Sequence, residues 1–179
     1  LNSVINEQSK KMDEEKRRIL KNIVELNYSG GDGKRRSKMV SANSRMLAQA
    51  LNFTEKYESK ISGSFVDGIE IAGVIREIDY SIFKIFFSED DKNSVVATAA
   101  DVVKNYREKW DGSGKPAGLK GEEIPLAARI VCITDGFDFL RSGGCTRQES
   151  FDKMKEESGK SYDPYLLDLF FRIEKQIKS

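Results

Sequence analysis

The 179-residue sequence contains no histidine, only two cysteines and only three prolines. Without imidazole, a metal centre would have to rely on carboxylate, thiolate or similar ligands. Cys132 lies in an apolar run and Cys145 in a glycine-rich loop, which does not suggest a disulfide framework, so we expect a reducing, cytoplasmic setting. The scarcity of proline and the lack of alternating apolar residues favour helices over strands.

The sequence also lacks long apolar runs and an excess of charge. No stretch of about 18 apolar residues occurs, so we expect no membrane span, and no signal peptide is recognisable. The net charge is +1, and basic and aromatic residues are not interleaved on one face, so no nucleic-acid partner is expected. The first residue is Leu1, which favours a segment with a further domain upstream, although trimming of the terminus would give the same start.

Apolar residues recur at helical spacing along the chain, which predicts an all-α bundle of about seven helices. The first helix is predicted over residues 1–26, where Ile5, Met12, Ile19 and Leu26 are spaced by seven. Two interpretations stay open: a helix packed on its own domain, or a linker or dimerisation helix. The second divides the chain into residues 1–30 and a helical domain over residues 31–179.

The remaining elements are predicted from the same spacing and from helix-start signals. Residues 27–37 predict a loop between helices. Asp163 and Pro164 form a favourable pair for starting a helix. The later helices are expected at 36–52, at 67–80 with a possible extension to 87, from 94 to about 109, and at 125–140, 147–157 and 163–177.

One stretch, EKWDGSGKPAGLKGEEIPLAARIVCITDGFDFL at residues 108–140, joins a glycine-rich loop to an apolar helix. It resembles the signature of HD-GYP domains, an all-α group of metal-dependent phosphodiesterases acting on cyclic di-GMP within the HD superfamily. The matching positions are Glu108, Asp111, Gly112, Gly114, Pro116, Gly118, Leu119, Gly121, Ile124, Pro125, Ala128, Arg129, Ile130, Asp135, Phe137 and Asp138.

Shorter matches extend the resemblance over about residues 35–172. The segment GVIREIDYSI (73–82) resembles the family's Leu-Leu-His-Asp-Ile-Gly-Lys, with Arg76 at the His and Glu77 at the Asp. Arg36 falls near the first ligand position of the family's early helix. The segment EESGKSYDPYLLDLF (156–170) resembles the closing Gly-x-x-Phe-Asp-Pro. The resemblance implies an HD-domain-like helical bundle.

The chain departs from the family at the positions that hold metal ions. Tyr106 and Arg107 replace the paired histidines, and Arg36 and Arg76 replace two others, whereas Asp135 is retained and Glu77 is a possible substitute. Arginine has no lone pair to offer a metal. The signature tyrosine is Lys115, within a loop formed by Asp111, Gly112, Gly114, Lys115 and Pro116. We therefore expect no metal, no cofactor and no hydrolysis, and salt bridges between Glu77 or Asp135 and Arg76 or Arg107.

Three functions are consistent with this pattern. The favoured one is a catalytically inactive signalling domain that acts through a protein partner or as a homodimer. The second is a metal-free receptor for cyclic di-GMP or a related phosphorylated ligand, bound by Arg76, Arg107 and Lys115. The third is a phosphodiesterase with a carboxylate-only metal site, although the acidic clusters at 13–15 and 89–91 read as surface. The aromatic residues Tyr106, Trp110 and Phe137 predict core rather than a wall for a base.

Overall fold

The computed structural model describes residues 31–87 and 94–178, together with residues 7, 11, 14–16, 18, 19, 22 and 23. In these ranges every regular element is helical, which confirms the all-α class. The α-helices are α1 (Gly31–Leu51), α2 (Gly63–Ile75), α3 (Tyr80–Phe86), α4 (Ser94–Asn105), α5 (Leu126–Ser142), α6 (Arg147–Glu156) and α7 (Pro164–Arg172). Short 3-10 helices occupy Glu58–Lys60, Gly121–Glu123 and Glu174–Gln176. None of the described helices has both the length and the apolar character that a membrane crossing needs.

Helix α5 lies at the centre of the bundle because it is apolar around most of its circumference. It contacts α1, α2, α4, α6 and α7, and it buries Ile130, Ile133 and Phe137 almost completely. Pro125 precedes its first turn, as the sequence indicated. Two acidic residues of α5, Asp135 and Asp138, meet arginines of the neighbouring helices. The central helix therefore supplies both the core and the carboxylates of the site described below.

Helix α1 begins at Gly31, so the loop predicted for residues 27–37 is wrong from residue 31 onward. Residues 27–30 lie outside the described part of the chain. The low helix propensity of the two glycines at 31 and 33 suggested a loop. A tertiary contact opposes that preference, because Arg36 Nε donates a hydrogen bond of 2.8 Å to Asp138 on α5.

The apolar stretch after residue 67 forms two helices instead of one extended helix. Helix α2 ends at Ile75, and the Asp79 carboxylate starts α3 by accepting a 2.8 Å hydrogen bond from the Ser81 N–H. Hydrogen bonds from Ser81 hold the pKa of Asp79 below its usual range, so the cap stays ionised. Arg76 lies at the end of α2, where its side chain turns into the protein.

The two ends of the chain agree only partly with the predicted helices. The Asp163 carboxylate caps α7, but α7 ends at Arg172 and Ile177 is buried beyond it. The described positions among the first 23 residues are helical, and Ile19 and Ile23 pack against the core. The other apolar residues of the predicted first helix, Ile5, Met12 and Leu26, lie outside the described part.

Candidate functional site

The glycine-rich loop between α4 and α5 is held by a buried carboxylate, that of Glu108. This side chain accepts hydrogen bonds from the Ala117 N–H at 2.6 Å and the Leu119 N–H at 3.2 Å, and the residue is only 2% exposed. Gly114 packs so closely that an added Cβ would lie 2.2 Å from the Lys109 nitrogen. The loop is therefore fixed by groups that face the protein interior.

Of the other four residues of the signature loop, Asp111, Lys115 and Pro116 are exposed and Gly112 is half-buried. The Asp111 carboxylate accepts from the Ser113 N–H at 2.8 Å, and hydrogen bonds from Ser113 lower the pKa of Asp111. Gly112 has a φ of 87°, which a side chain would disfavour. Lys115 and Pro116 are exposed and line a small cavity beside α4.

Arg76 is a buried cation that lies directly on Asp135. Its Nε and Nη2 atoms are each 2.7 Å from the same oxygen, Oδ1 of Asp135, and its Nη1 donates to the Gly73 carbonyl at 2.7 Å. The Arg76 side chain is 1% exposed and that of Asp135 is 25% exposed. Arg76 still lines the smaller cavity, but its guanidinium is already bonded to Asp135 and to the Gly73 carbonyl.

A second guanidinium, that of Arg36, joins this network from α1. Arg36 bonds Asp138, and its Nη2 lies 3.6 Å from Oδ1 of Asp135. The hydrogen bond to Asp138 raises the pKa of Arg36. Glu77 is mostly exposed, with Oε1 3.3 Å from Nη2 of Arg76. The retained carboxylate of Asp135 thus lies between two permanent cations.

The pair at the former paired-histidine positions makes a separate contact. Tyr106 is buried, and its hydroxyl accepts a 2.9 Å hydrogen bond from Nε of Arg107. The Arg107 guanidinium also lies 5.2 Å from the centre of the Tyr106 ring. Burial raises the pKa of Tyr106. Of the two arginines proposed from the sequence to pair with Glu77 or Asp135, Arg76 forms these ion pairs, whereas Arg107 contacts the Tyr106 ring and hydroxyl.

Two cavities open on either side of these residues. The larger, of about 610 Å³, is lined by Arg36, Cys132, Asp135, Phe139 and Tyr162 among others. The smaller, of about 340 Å³, is lined by Tyr80, Lys104, Lys115 and Pro116 among others. Glu77, Tyr106 and Arg107 line both. Trp110 and Phe137 line neither, since Phe137 is in the core and Trp110 lies against Arg129.

The donor set around Asp135 does not fit the metal ions that the resemblance implies. Arginine cannot coordinate a metal, and the nearby Cys132 is a thiol because burial raises its pKa to about 12. Within residues 31–87 and 94–178, and the nine described positions before them, no three acidic or cysteine side chains come together as metal ligands would. The two acidic clusters in the sequence, at residues 13–15 and 89–91, do not change this conclusion. Glu14 and Glu15 are exposed, and residues 89–91 lie outside the described part of the chain.

Sequence reasoning missed Tyr162, whose ring packs against Gly136 of α5 and lines the larger cavity. Burial raises the pKa of Tyr162 well above its usual range, so the phenol stays protonated. A glycine in the middle of an apolar helix was the available signal, since such a position often permits a close approach.

Replacing Gly136 by alanine is expected to destabilise the protein, even though alanine favours a helix. The new Cβ would lie 2.2 Å from the Tyr162 hydroxyl oxygen and 2.9 Å from its ring carbon. We expect a loss of about 1–3 kcal/mol in the free energy of unfolding, measured by urea denaturation. Tyr162→Phe should recover part of that loss in the double variant. A Gly136→Ala protein as stable as the parent would refute the close contact.

Comparison with known proteins identifies the fold and its group. A protein-family model described as an HD domain matches residues 92–166. A probable cyclic di-GMP phosphodiesterase of Vibrio cholerae is 36% identical, with 74% of this chain and 38% of that protein covered. A cyclic di-GMP phosphodiesterase of Thermotoga maritima is 35% identical, with 46% of this chain and 24% of that protein covered. The chain thus spans well under half the length of these relatives.

A crystal structure of a cyclic GMP-AMP-specific phosphodiesterase from V. cholerae has the same fold, with a TM-score of 0.52 at 15% identity. The match covers 78% of this chain and 48% of that one. The chain belongs to the HD-GYP-like group of HD-domain proteins.

Proposed function

We propose that this chain is a catalytically inactive HD-GYP-like domain that acts in signalling through a protein partner or as a homodimer. The observation that carries the proposal is the buried Arg76 guanidinium on Asp135. In a hydrolase of this kind, metal ions generate the attacking hydroxide at neutral pH. Here the Arg76 guanidinium neutralises the Asp135 carboxylate, and arginine has no lone pair to offer a metal ion in its place.

Displacing Arg76 to admit a metal ion would be unfavourable. The guanidinium would lose two short contacts to Asp135 and one to the Gly73 carbonyl. Arg36 would still lie near the same carboxylate and repel an incoming cation. The Asp135 carboxylate is therefore occupied by its ion pair with Arg76, which supports the proposal that this chain does not hydrolyse cyclic di-GMP.

The proposed division of the chain assigns residues 1–30 to a linker or dimerisation helix and residues 31–179 to the HD-GYP-like domain. Ile19 and Ile23 support a helix that returns part of one face to the domain core, because they are four residues apart and both pack against it. Glu7, Lys11 and Arg18 are exposed, so other faces of this segment are open to a partner.

Among the three residues proposed to bind cyclic di-GMP, Arg107 gives the receptor alternative the most support. Arg107 is exposed and lines both cavities, whereas Arg76 is buried and directed at Asp135. Lys115 also lines the smaller cavity. A cyclic di-GMP receptor would thus depend on Arg107 and Lys115 for contacts to the ligand, whereas Arg76 would act indirectly, through its ion pair with Asp135.

The test is turnover of cyclic di-GMP and of 3′,3′-cyclic GMP-AMP by the purified chain, in manganese and in chelator. We expect no linear product above the protein-free blank, while the T. maritima relative assayed in parallel serves as the positive control. We also expect the same thermal unfolding midpoint in both conditions, since Arg76 already neutralises Asp135. Manganese-dependent product, or a stoichiometric metal in the purified protein, would contradict the proposal.

A further inference from the structure

Four basic residues line the smaller cavity: Arg76, which is buried on Asp135, and Lys104, Arg107 and Lys115. The last three are exposed. Among the residues that the structure describes, none of them forms an ion pair with a carboxylate within 4.0 Å, whereas Arg36, Arg76 and Arg129 all do. This basic corner therefore presents uncompensated positive charge to the cavity.

The backbone fixes the relative placement of these cations. The Lys115 N–H donates to the Arg107 carbonyl at 3.2 Å, so the two residues are joined directly. Lys104 lies in the last turn of α4, three residues before Arg107. The Arg107 guanidinium is held on the Tyr106 ring and hydroxyl. Buried Glu108 anchors the loop that carries Lys115. The backbone of the corner and the Arg107 guanidinium are therefore held in place, which lowers the entropy cost of binding.

The two acidic residues of the smaller cavity are already engaged. Glu77 accepts from Nη2 of Arg76 at 3.3 Å. Asp79 accepts from the Ser81 N–H and hydroxyl at the start of α3. Neither forms an ion pair with the basic corner. With four cationic residues and two carboxylates in its lining, the cavity carries net positive charge and favours an anion, and the rings of Tyr80 and Tyr106 add an apolar wall.

We propose that the Lys104, Arg107 and Lys115 corner binds the phosphate of a small phosphomonoester, of mononucleotide size or smaller. A phosphomonoester carries a charge near −2 at neutral pH, whereas each phosphodiester of a cyclic dinucleotide carries one negative charge. Three exposed cations in the lining of one cavity match the more highly charged group, and arginine offers a two-pronged contact to it. The volume of about 340 Å³ lies at the lower end of ligand-site volumes, which suits one nucleotide and not two.

This inference goes beyond the proposed function, and its test does not depend on turnover. The full chain is titrated calorimetrically, in chelator, with GMP, guanosine, inorganic phosphate and cyclic di-GMP. We expect saturable binding of GMP, weaker binding of phosphate and none of guanosine. Arg107→Gln and Lys115→Gln are each expected to weaken GMP binding about tenfold. Lys175→Gln is the matched control, because Lys175 is exposed and lines neither cavity.

Each contrary result overturns the proposal in a distinct way. Equal binding of guanosine and GMP would place the recognition in the base instead of the phosphate. Tighter binding of cyclic di-GMP than of GMP would favour the receptor alternative. If Lys175→Gln weakens GMP binding as much as the other two variants, the effect comes from the overall charge of the protein. If neither GMP nor phosphate gives saturable heat, there is no phosphate site in this cavity. The unfolding midpoint of each variant verifies that these exposed substitutions leave the fold intact.

Discussion

Replacing Asp163 by asparagine is expected to lower the free energy of unfolding by about 3–5 kcal/mol, because it leaves a buried charge without its partner. Oδ2 of Asp163 lies 2.7 Å from Nη1 of Arg129, and the two side chains are 1% and 7% exposed. Asparagine is as good a helix cap as aspartate, so the start of α7 is preserved. The loss can then be assigned to the ion pair and measured by urea denaturation followed by circular dichroism.

Two companion variants separate this ion pair from other contributions. Asp168→Asn lies on the same helix but removes only an exposed pair with Arg172, so we expect a change of less than about 1 kcal/mol. Adding Arg129→Met to Asp163→Asn should restore part of the stability, since no buried charge then remains unpaired. If the double variant is no more stable than Asp163→Asn alone, the other bonds of Arg129, to Ile124 and Tyr57, are the larger contribution.

Replacing Arg76 by methionine is expected to cost about 3 kcal/mol of unfolding free energy, the lower part of the range for a broken buried pair. Asp135 would keep a more distant partner in Arg36 and is a quarter exposed, so water can compensate part of the loss. The Gly73 carbonyl would also lose its donor. The measurement is again urea denaturation, with the slope compared between variants to verify two-state unfolding.

The matched control for Arg76 is Arg107, which occupies another former ligand position but is exposed. Arg107→Gln should change the unfolding free energy by less than about 1 kcal/mol, because Arg107 itself is exposed and contacts only the ring and hydroxyl of Tyr106. Adding Asp135→Asn to Arg76→Met should recover stability if the carboxylate is the origin of the cost. An Arg76→Met protein as stable as the parent would show that Asp135 is adequately neutralised by Arg36 and solvent.

The helices could be predicted from apolar spacing, but their ends depended on contacts between distant residues. The beginning of α1 was missed because Gly31 and Gly33 suggest a loop, and the opposing contact of Arg36 lies 102 residues away in sequence. The break between α2 and α3 was also missed, although Asp79 next to Tyr80 and Ser81 is a recognisable cap. Local signals thus place the elements, and tertiary contacts decide where they begin and end.

The candidate site could be predicted as a set of positions but not as an arrangement. From the sequence, Arg76 and Arg107 were equally good candidates for binding a ligand. In the structure, Arg76 is buried and bonded to Asp135 of α5, whereas Arg107 is exposed after the end of α4 and faces the cavities. Lys104 gave no signal, because a lysine near the end of a helix is ordinary. Only the fold shows that it shares a cavity with Lys115.

The buried carboxylate of Glu108 makes the backbone path of the glycine-rich loop independent of the side chains that the loop presents to the smaller cavity. Glu108 and Gly114 maintain the path of the backbone from α4 to α5, and neither lines the smaller cavity, although Glu108 lines the larger one. Side chains that face the smaller cavity can therefore be exchanged while these two residues keep the backbone in place. A loop held in this way is a fixed backbone on which hydrolysis, ligand sensing or partner binding can each be built.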